Sequence, residues 1–504
     1  MSAVSVEDAA RAFERAGDAA GAVAVFEAAL AASPQDGSLL AGLARLAERI
    51  RSPELALSCW SLVHHAEPAR HEAIEGLARA LGQLGRHGEA TELIRTAINV
   101  SPEISGLWTT LGRLANEQAD VEGALVYFGE AARLDPLSAA PRYNRGILNL
   151  ELGELDAAAE DFAAALSLAV SPAQRAETQL ADAFVKLGRG QLGEGWRAYE
   201  VRLSPDRPDA PVFQAPGTRW TSGGSLAGQH LLVVGEQGVG DQIMFAHLLQ
   251  DLPGALGPEG RLSVAVDPRL VSLMRRSFPR ADVLPLQTEI TAGRTRHRVA
   301  NPPEATPTAW APIASLAQRL RCSLADFPAA SAYLAPSPEA VAHWRRWLAA
   351  GPPAVGLSWR SRAAATERRR QAPGLQAVAP ILRTAGLRFV NLQYGVTAEE
   401  LAEASALAAG AFVEPPGLDL FNDFEGLAAL CVALDVVVST PNATGLLAAA
   451  CGADVRLLDP AATWRRLGTD GYPWHPRARS YPQSSDGTWD RAVAEIAMEL
   501  GGLA

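Results

Sequence analysis

The chain has 504 residues, 48% of them hydrophobic and 20% charged, a composition that supports about two to four folded domains and argues against a disordered polymer. Its net charge of −11 argues against a broad surface for nucleic acid or anionic membrane, and no apolar run reaches the roughly 18 residues a membrane span needs. Four scattered cysteines form no C-x-x-C pair, which speaks against a disulfide framework or structural zinc and for a reducing cytoplasm, while the single lysine, Lys186, leaves no Gly-Lys-Ser/Thr phosphate loop.

The first segment, MSAVSVEDAARAFERAG, has no basic start before an apolar core, so no secretion signal is expected. Beyond it the chain repeats. Ala22, Ala56, Ala90, Ala124 and Ala158 stand 34 residues apart, each followed four positions later by Phe26, Trp60, Ile94, Phe128 or Phe162. Pro34, Pro68, Pro102 and Pro136 close four of the units. In LWTTLGRLANEQADVEGALVYFGEAARLDP, small Ala and Gly let two helices approach, a large residue fills the gap, and proline stops the second helix. Five alanines in one register argue against a generic alanine-rich bundle. The spacing is that of tetratricopeptide (TPR) repeats, and predicts an α-solenoid of about six units over residues 1–204, the last an altered unit carrying Trp196 and Tyr199. The groove of such an array takes polypeptide, so a protein partner is expected. The sixth position of each first helix reads Asp8, Gly42, Gly76, Thr110, Asn144 and Thr178, so the asparagine ladder of O-GlcNAc transferases is not visible.

Residues 205–228, rich in Pro and Gly, read as a linker. Strands are then predicted at 230–235, 261–266 and 282–286, and, after a second linker at 336–350, at 354–359, 388–393, 435–439 and 454–458, with helical stretches between them. This alternation predicts two Rossmann-like parallel-sheet halves, 229–335 and 351–504, the second ending in a closing helix. With ligands beyond the carboxyl ends of the strands, that is the layout of a GT-B glycosyltransferase.

Three motifs carry candidate chemistry. GEQGVGDQIMFAH follows the first strand and opens a helix, where Gly238 and Gly240 let a ligand approach backbone and Asp241 is either a helix-capping group or a general base. GLSWRSRAAATERRR places Arg360, Arg362 and Arg368–Arg370 after a strand end; guanidinium groups suit phosphate and carboxylate, although arginine is this chain's default cation and a solvated basic loop is the alternative. VVVSTPNATGLLAAACG offers Thr440, Asn442, Thr444 and Gly445 at a helix start, as a nucleotide phosphate requires, the alternative being a capped core helix. Gln393 and Tyr394 follow another strand on the nucleotide side. Trp464 suits core packing better than a base, and His247, His343 and His475 show no metal-site spacing.

The run SLAGQHLLVVGEQGVGDQIMFA and the closing TWRRLGTDGYPWHPRARSYPQ resemble bacterial TPR glycosyltransferases, with a catalytic half similar to heptosyltransferases and more distantly to O-GlcNAc transferase. The resemblance spans nearly the whole chain, and in architecture it is nearest the flagellin glycosyltransferases. It implies an inverting, metal-independent transferase that moves a nonulosonic acid from a CMP donor to Ser/Thr of a protein acceptor, with flagellin as that acceptor and no cofactor beyond the nucleotide sugar. It implies Asp241 of the Gly240-Asp241 pair as base, and the arginine loop as donor contact. The family's Ser-x-Asp-Thr-x-x-x-His is altered here: Pro441 replaces the Asp, Asn442 the Thr and Leu446 the His. Two alternatives therefore stand beside the transferase: a protein-binding scaffold with a degenerate transferase domain, and an O-GlcNAc-type enzyme using a UDP-hexosamine.

Overall fold

A computed structural model describes residues 3–503 apart from 222, 292–293, 300–302, 304, 329–331, 362–371 and 485–486. Its N-terminal part is a helical solenoid of the TPR type, running from the helix Ala3–Ala16 to the helix Leu192–Tyr199. The five register alanines and the large residues that follow them are at most 1% exposed, so each unit hides a side chain that contributes about 1.5–3 kcal/mol by burial. The small residues are needed for contact: a Cβ built on Gly76 would lie 2.3 Å from the Trp60 indole nitrogen, and one on Gly42 2.6 Å from Phe26. The prolines stop each second helix one residue early. The helices end at Ala32, Ala66, Val100 and Leu134, and the C-cap between helix and proline leaves the helical region because Pro crowds the residue before it.

The remainder is a parallel-sheet α/β region. The first sheet has the order β2 (Thr218–Arg219), β8 (Ala309–Pro312), β3 (His230–Val234), β4 (Arg261–Val266), β5 (Ala281–Pro285), all parallel. The second has the order β11 (Phe412–Val413), β10 (Arg388–Asn391), β9 (Ala354–Ser358), β12 (Val436–Ser439), β13 (Val455–Asp459), β14 (Arg479–Pro482), also all parallel. Their central strands are buried along nearly their whole length, which is why they read as continuous apolar runs in the sequence.

Both expected linkers carry structure. Residues 205–228 supply β2 and also β1 (Val212–Gln214), which pairs with β7 (Arg294–Arg298); β7 in turn pairs antiparallel with β6 (Gln287–Thr291) in a small third sheet. β2, β6 and β7 are polar and β1 has only three residues, so no apolar run announces them. Within 336–350 lies the helix Pro338–Leu348, capped by Ser337 and packed on the helix Phe424–Ala433. One buried core runs from Leu187 and Trp196 of the solenoid through Ile243 and Met244 to Leu446, Leu447 and Cys431, so solenoid and both sheets share it.

Candidate functional site

In each parallel sheet the chain builds outward in one direction and then returns to the far side of the starting strand. The first sheet switches between β3 and β8, the second between β9 and β12. A crevice forms at the carboxyl ends of strands at such a point, where ligands of open α/β sheets bind. The helix Val239–Phe245 starts after β3, and the helix Ala443–Ala450 starts after β12. The two helix starts meet: a Cβ built on Gly240 would lie 3.4 Å from Leu446 Cδ1 and 3.5 Å from Ala443 Cα.

Asp241 projects from the first turn of its helix. Its carboxylate accepts a 3.1 Å hydrogen bond from Arg465 Nη2, so its partner belongs to the second sheet's side and is not a backbone N–H of its own helix. Arg465 lies in the short turn Trp464–Arg466 after β13. Burial opposes its charge, but Asp241 and its other neighbours outweigh that, holding the guanidinium protonated more firmly than usual. The Arg465 Nε is buried without a partner. Beside this pair, Gln237 takes the left-handed conformation at φ 58° and donates a 2.6 Å hydrogen bond to Tyr199 Oη of the solenoid.

Glu236, in the same turn, is completely buried. Arg202 grips it with two hydrogen bonds of 2.8 and 2.9 Å, and the Ala314 backbone N–H adds a third at 2.9 Å. Arg202 follows the last solenoid helix, so this ion pair fixes the solenoid to the glycine-rich turn.

The remaining candidates divide. Asn442 caps its helix, accepting from Gly445 N at 3.0 Å, while its amide donates to Ser358 Oγ at 2.8 Å and to the Arg360 carbonyl at 3.1 Å. Gln393 is buried, and its side-chain oxygen accepts from the backbone N–H groups of Trp359 and Arg360, both at 2.9 Å. These two side chains tie β9, β10 and β12 together. Arg360 is held by Glu400 at 2.6 Å and by the Gly395 carbonyl at 2.9 Å. Gly445 serves packing, since a Cβ there would sit 2.5 Å from the Thr440 carbonyl. Thr444 is buried, and the Thr440 hydroxyl is buried without a partner. Gly238 is the N-cap in an extended conformation that any residue adopts. Tyr394 lies beside Phe421, with ring centroids 5.9 Å apart. Arg362 and Arg368–Arg370 fall outside the described residues. Trp464 stacks on Phe184 at 5.8 Å and meets Trp196 edge-on, so it packs the junction with the solenoid. Among the described residues no cluster of three His, Cys, Asp or Glu offers a metal site, and no helix is long and apolar enough to cross a membrane.

No family model matches the chain. Protein FlbA of Caulobacter vibrioides is 41% identical over 491 residues, spanning 97% of this chain and 82% of that protein. The chain belongs to the FlbA family. Solved structures that it resembles include a thermophilic TPR protein of Thermus thermophilus, with TM-score 0.32, 22% identity, and coverage of 36% of this chain and 98% of that one. The APC/C hetero-tetramer Cut9-Hcn1 is another, with TM-score 0.33, 21% identity and 39% of each chain covered.

Two residues of this FlbA-family chain are central to the site and were not singled out by sequence reasoning. Arg465 sits in the closing segment, where nothing in the sequence sets it apart from the chain's other arginines. Glu236 lies between the glycines of the first motif, and a charged residue following the predicted apolar strand directly was the available clue. A third group, Asp459 at the end of β13, is fully buried, and burial pushes its carboxyl up to about 6 although Ser480, Tyr472, Arg465 and Arg466 all favour the charged form.

Proposed function

We propose that this FlbA-family protein is a protein O-glycosyltransferase: the solenoid recruits a protein acceptor, flagellin, and a GT-B module moves a nonulosonic acid from a CMP donor onto a Ser or Thr hydroxyl. The observation that carries this reading is the meeting of two helix starts, each at the switch point of a parallel sheet, with Asp241 and Arg465 at their junction. Helix N-termini favour the donor's phosphate, and Arg465 is a cation within reach of the same place. Asp241 takes the proton as the acceptor oxygen attacks the anomeric carbon, and the nucleotide phosphate leaves on the opposite side. The choice of sugar, nucleotide and acceptor rests on the sequence resemblance.

A scaffold reading has its own support. Pro441 and Leu446 replace the Asp and His of the resembling family, Leu446 fills the space against Gly240, and the polar atoms of Asn442 and Gln393 are engaged within the protein. The separating experiment incubates the full chain with flagellin and CMP-linked nonulosonic acid and weighs the flagellin by mass spectrometry. The transferase gains one sugar mass per site, and the Asp241→Ala variant does not. An unmodified acceptor that still co-purifies with the protein would favour the scaffold.

A further inference from the structure

The first helices of the solenoid carry arginine at one repeating position: Arg11, Arg45, Arg79 and Arg113, 34 residues apart. Arg11 faces Glu7 of its own helix at 3.7 Å, and Arg45 and Arg79 are paired with carboxylates of neighbouring units. Arg45 donates to Glu72 of the following unit at 2.7 Å and to Glu7 of the preceding unit at 3.1 Å. Arg79 donates to Glu48 of the preceding unit at 2.8 Å and has Glu75 of its own helix at 3.9 Å. These pairs link the helices Ala3–Ala16, Gly37–Arg49 and His71–Gln83, the first helices that line the inner face of such an array.

Arg113, in the helix Ser105–Glu117, repeats the position without the partners. Gly82 stands where the repeat would place the equivalent of Glu48, and Ala140 where it would place that of Glu72. Glu75, the equivalent of Glu7, lies by Arg79 and against Gly106 instead. Glu117, one turn along the same helix, faces His87 at 3.6 Å. Among the described residues no carboxylate lies within ion-pair distance of Arg113. Burial is the main pressure on its proton and the like charge of Arg79 adds to it; Glu117 and Glu48 oppose them from beyond ion-pair distance without outweighing the burial.

The same series of first helices leads to the candidate site. Phe184, in the helix Pro172–Gly188 two units further on, stacks on Trp464, the neighbour of Arg465. We propose that Arg113 receives an Asp or Glu side chain of the protein client, holding an acidic client segment on the inner face two units from Asp241. The inference rests on the recruitment half of the proposed function and not on the transfer chemistry.

The test measures fluorescence anisotropy of labelled oligoglutamate with the full-length protein, and oligoglutamine as control. Oligoglutamate binds more weakly as salt rises, and oligoglutamine does not bind. Arg113→Gln weakens oligoglutamate binding by roughly ten- to a hundredfold, the value of one charge-assisted contact, whereas Arg113→Lys keeps most of it. Ala140→Glu keeps Arg113 and supplies the missing internal partner from an exposed position, so it also weakens binding and raises the melting temperature. Arg133→Gln, on an exposed second-helix arginine paired with Glu130, changes nothing. Wild-type affinity in both Arg113→Gln and Ala140→Glu, or no oligoglutamate binding by the wild type, overturns the proposal. Melting shifts with nucleotides are read on the same proteins: their absence in the wild type counts against the transferase while leaving the acidic-client result intact.

Discussion

Asp241 and Arg465 are 224 positions apart in the chain and joined by a 3.1 Å hydrogen bond. The bond ties the first turn after β3 to the turn after β13, and so the switch region of one sheet to the carboxyl end of a strand in the other. Each side chain is about a quarter exposed, so the pair is shielded from water enough for its loss to be felt. Asp241→Asn leaves Arg465 enclosed with a weaker acceptor, and is expected to cost about 1–3 kcal/mol in urea unfolding. Arg465→Gln costs less when Asp241 is already Asn, because the interaction is shared; additive effects would show that the two residues do not interact.

Glu236 and Arg202 form a more deeply enclosed pair, 0% and 4% exposed, with hydrogen bonds to Ala314 N and Ser315 Oγ. Removing one partner strands the other charge. Glu236→Gln is therefore expected to cost about 3–5 kcal/mol, more than Asp241→Asn. Chemical denaturation checks the order, and an unchanged midpoint would contradict this account of the junction.

The glycines of the two turns differ in what they can accept. A Cβ at Gly445 would meet the Thr440 carbonyl at 2.5 Å and Ser439 Oγ at 2.8 Å, so Gly445→Ala is expected to destabilise by about 1–3 kcal/mol. At Gly240 the nearest atom is 3.4 Å away, so Ala fits and only a larger side chain pushes the two helices apart. Gly238→Ala meets nothing closer than Asp241 Oδ2 at 3.6 Å and is expected to be silent in stability. Melting temperatures of the three alanine variants rank them.

How much of this was legible follows from the kind of side chain involved. The repeat array was readable because Ala90 and Ile94 must recur at fixed spacing to stack, and the central strands because β3 and β12 are apolar on both faces. Strands β6 and β7 were hidden by their polar residues, and β1 by its length of three residues. The site was half legible. Gly240 and the start of helix Ala443–Ala450 were readable from glycines after apolar runs, but Gln393 and Asn442 look like ligand contacts in sequence and are engaged in joining strands. Arg465 could not be distinguished from the chain's many other arginines, because only the fold brings it to Asp241.

Acid stability follows from three buried groups. Burial lowers both His247 and His475 to about 3, so the unfolded chain takes up their protons as pH falls below 6.5 while the folded chain does not, and stability is lost. Asp459 acts oppositely: raised to about 6, it takes up its proton in the folded state before its unfolded value of 3.8 is reached, which adds stability on acidification through that window. Two protons against one give a net loss of stability between about pH 6 and pH 4 from these groups. Replacing both histidines by Gln flattens the pH dependence of the melting temperature, and an unchanged slope would contradict the assignment.

The central claim is a nucleotide-sugar site where the two helix starts meet, and the most direct test is the melting temperature of the full-length protein with CMP, UDP, GDP and ADP in turn. A ligand that binds the folded state at about a hundred times its Kd adds about 2.7 kcal/mol. The account predicts a rise with CMP that is lost in Gly240→Leu, whose side chain would occupy the space beside Ala443. No rise with any of the four nucleotides, or a rise that survives in Gly240→Leu, would contradict it.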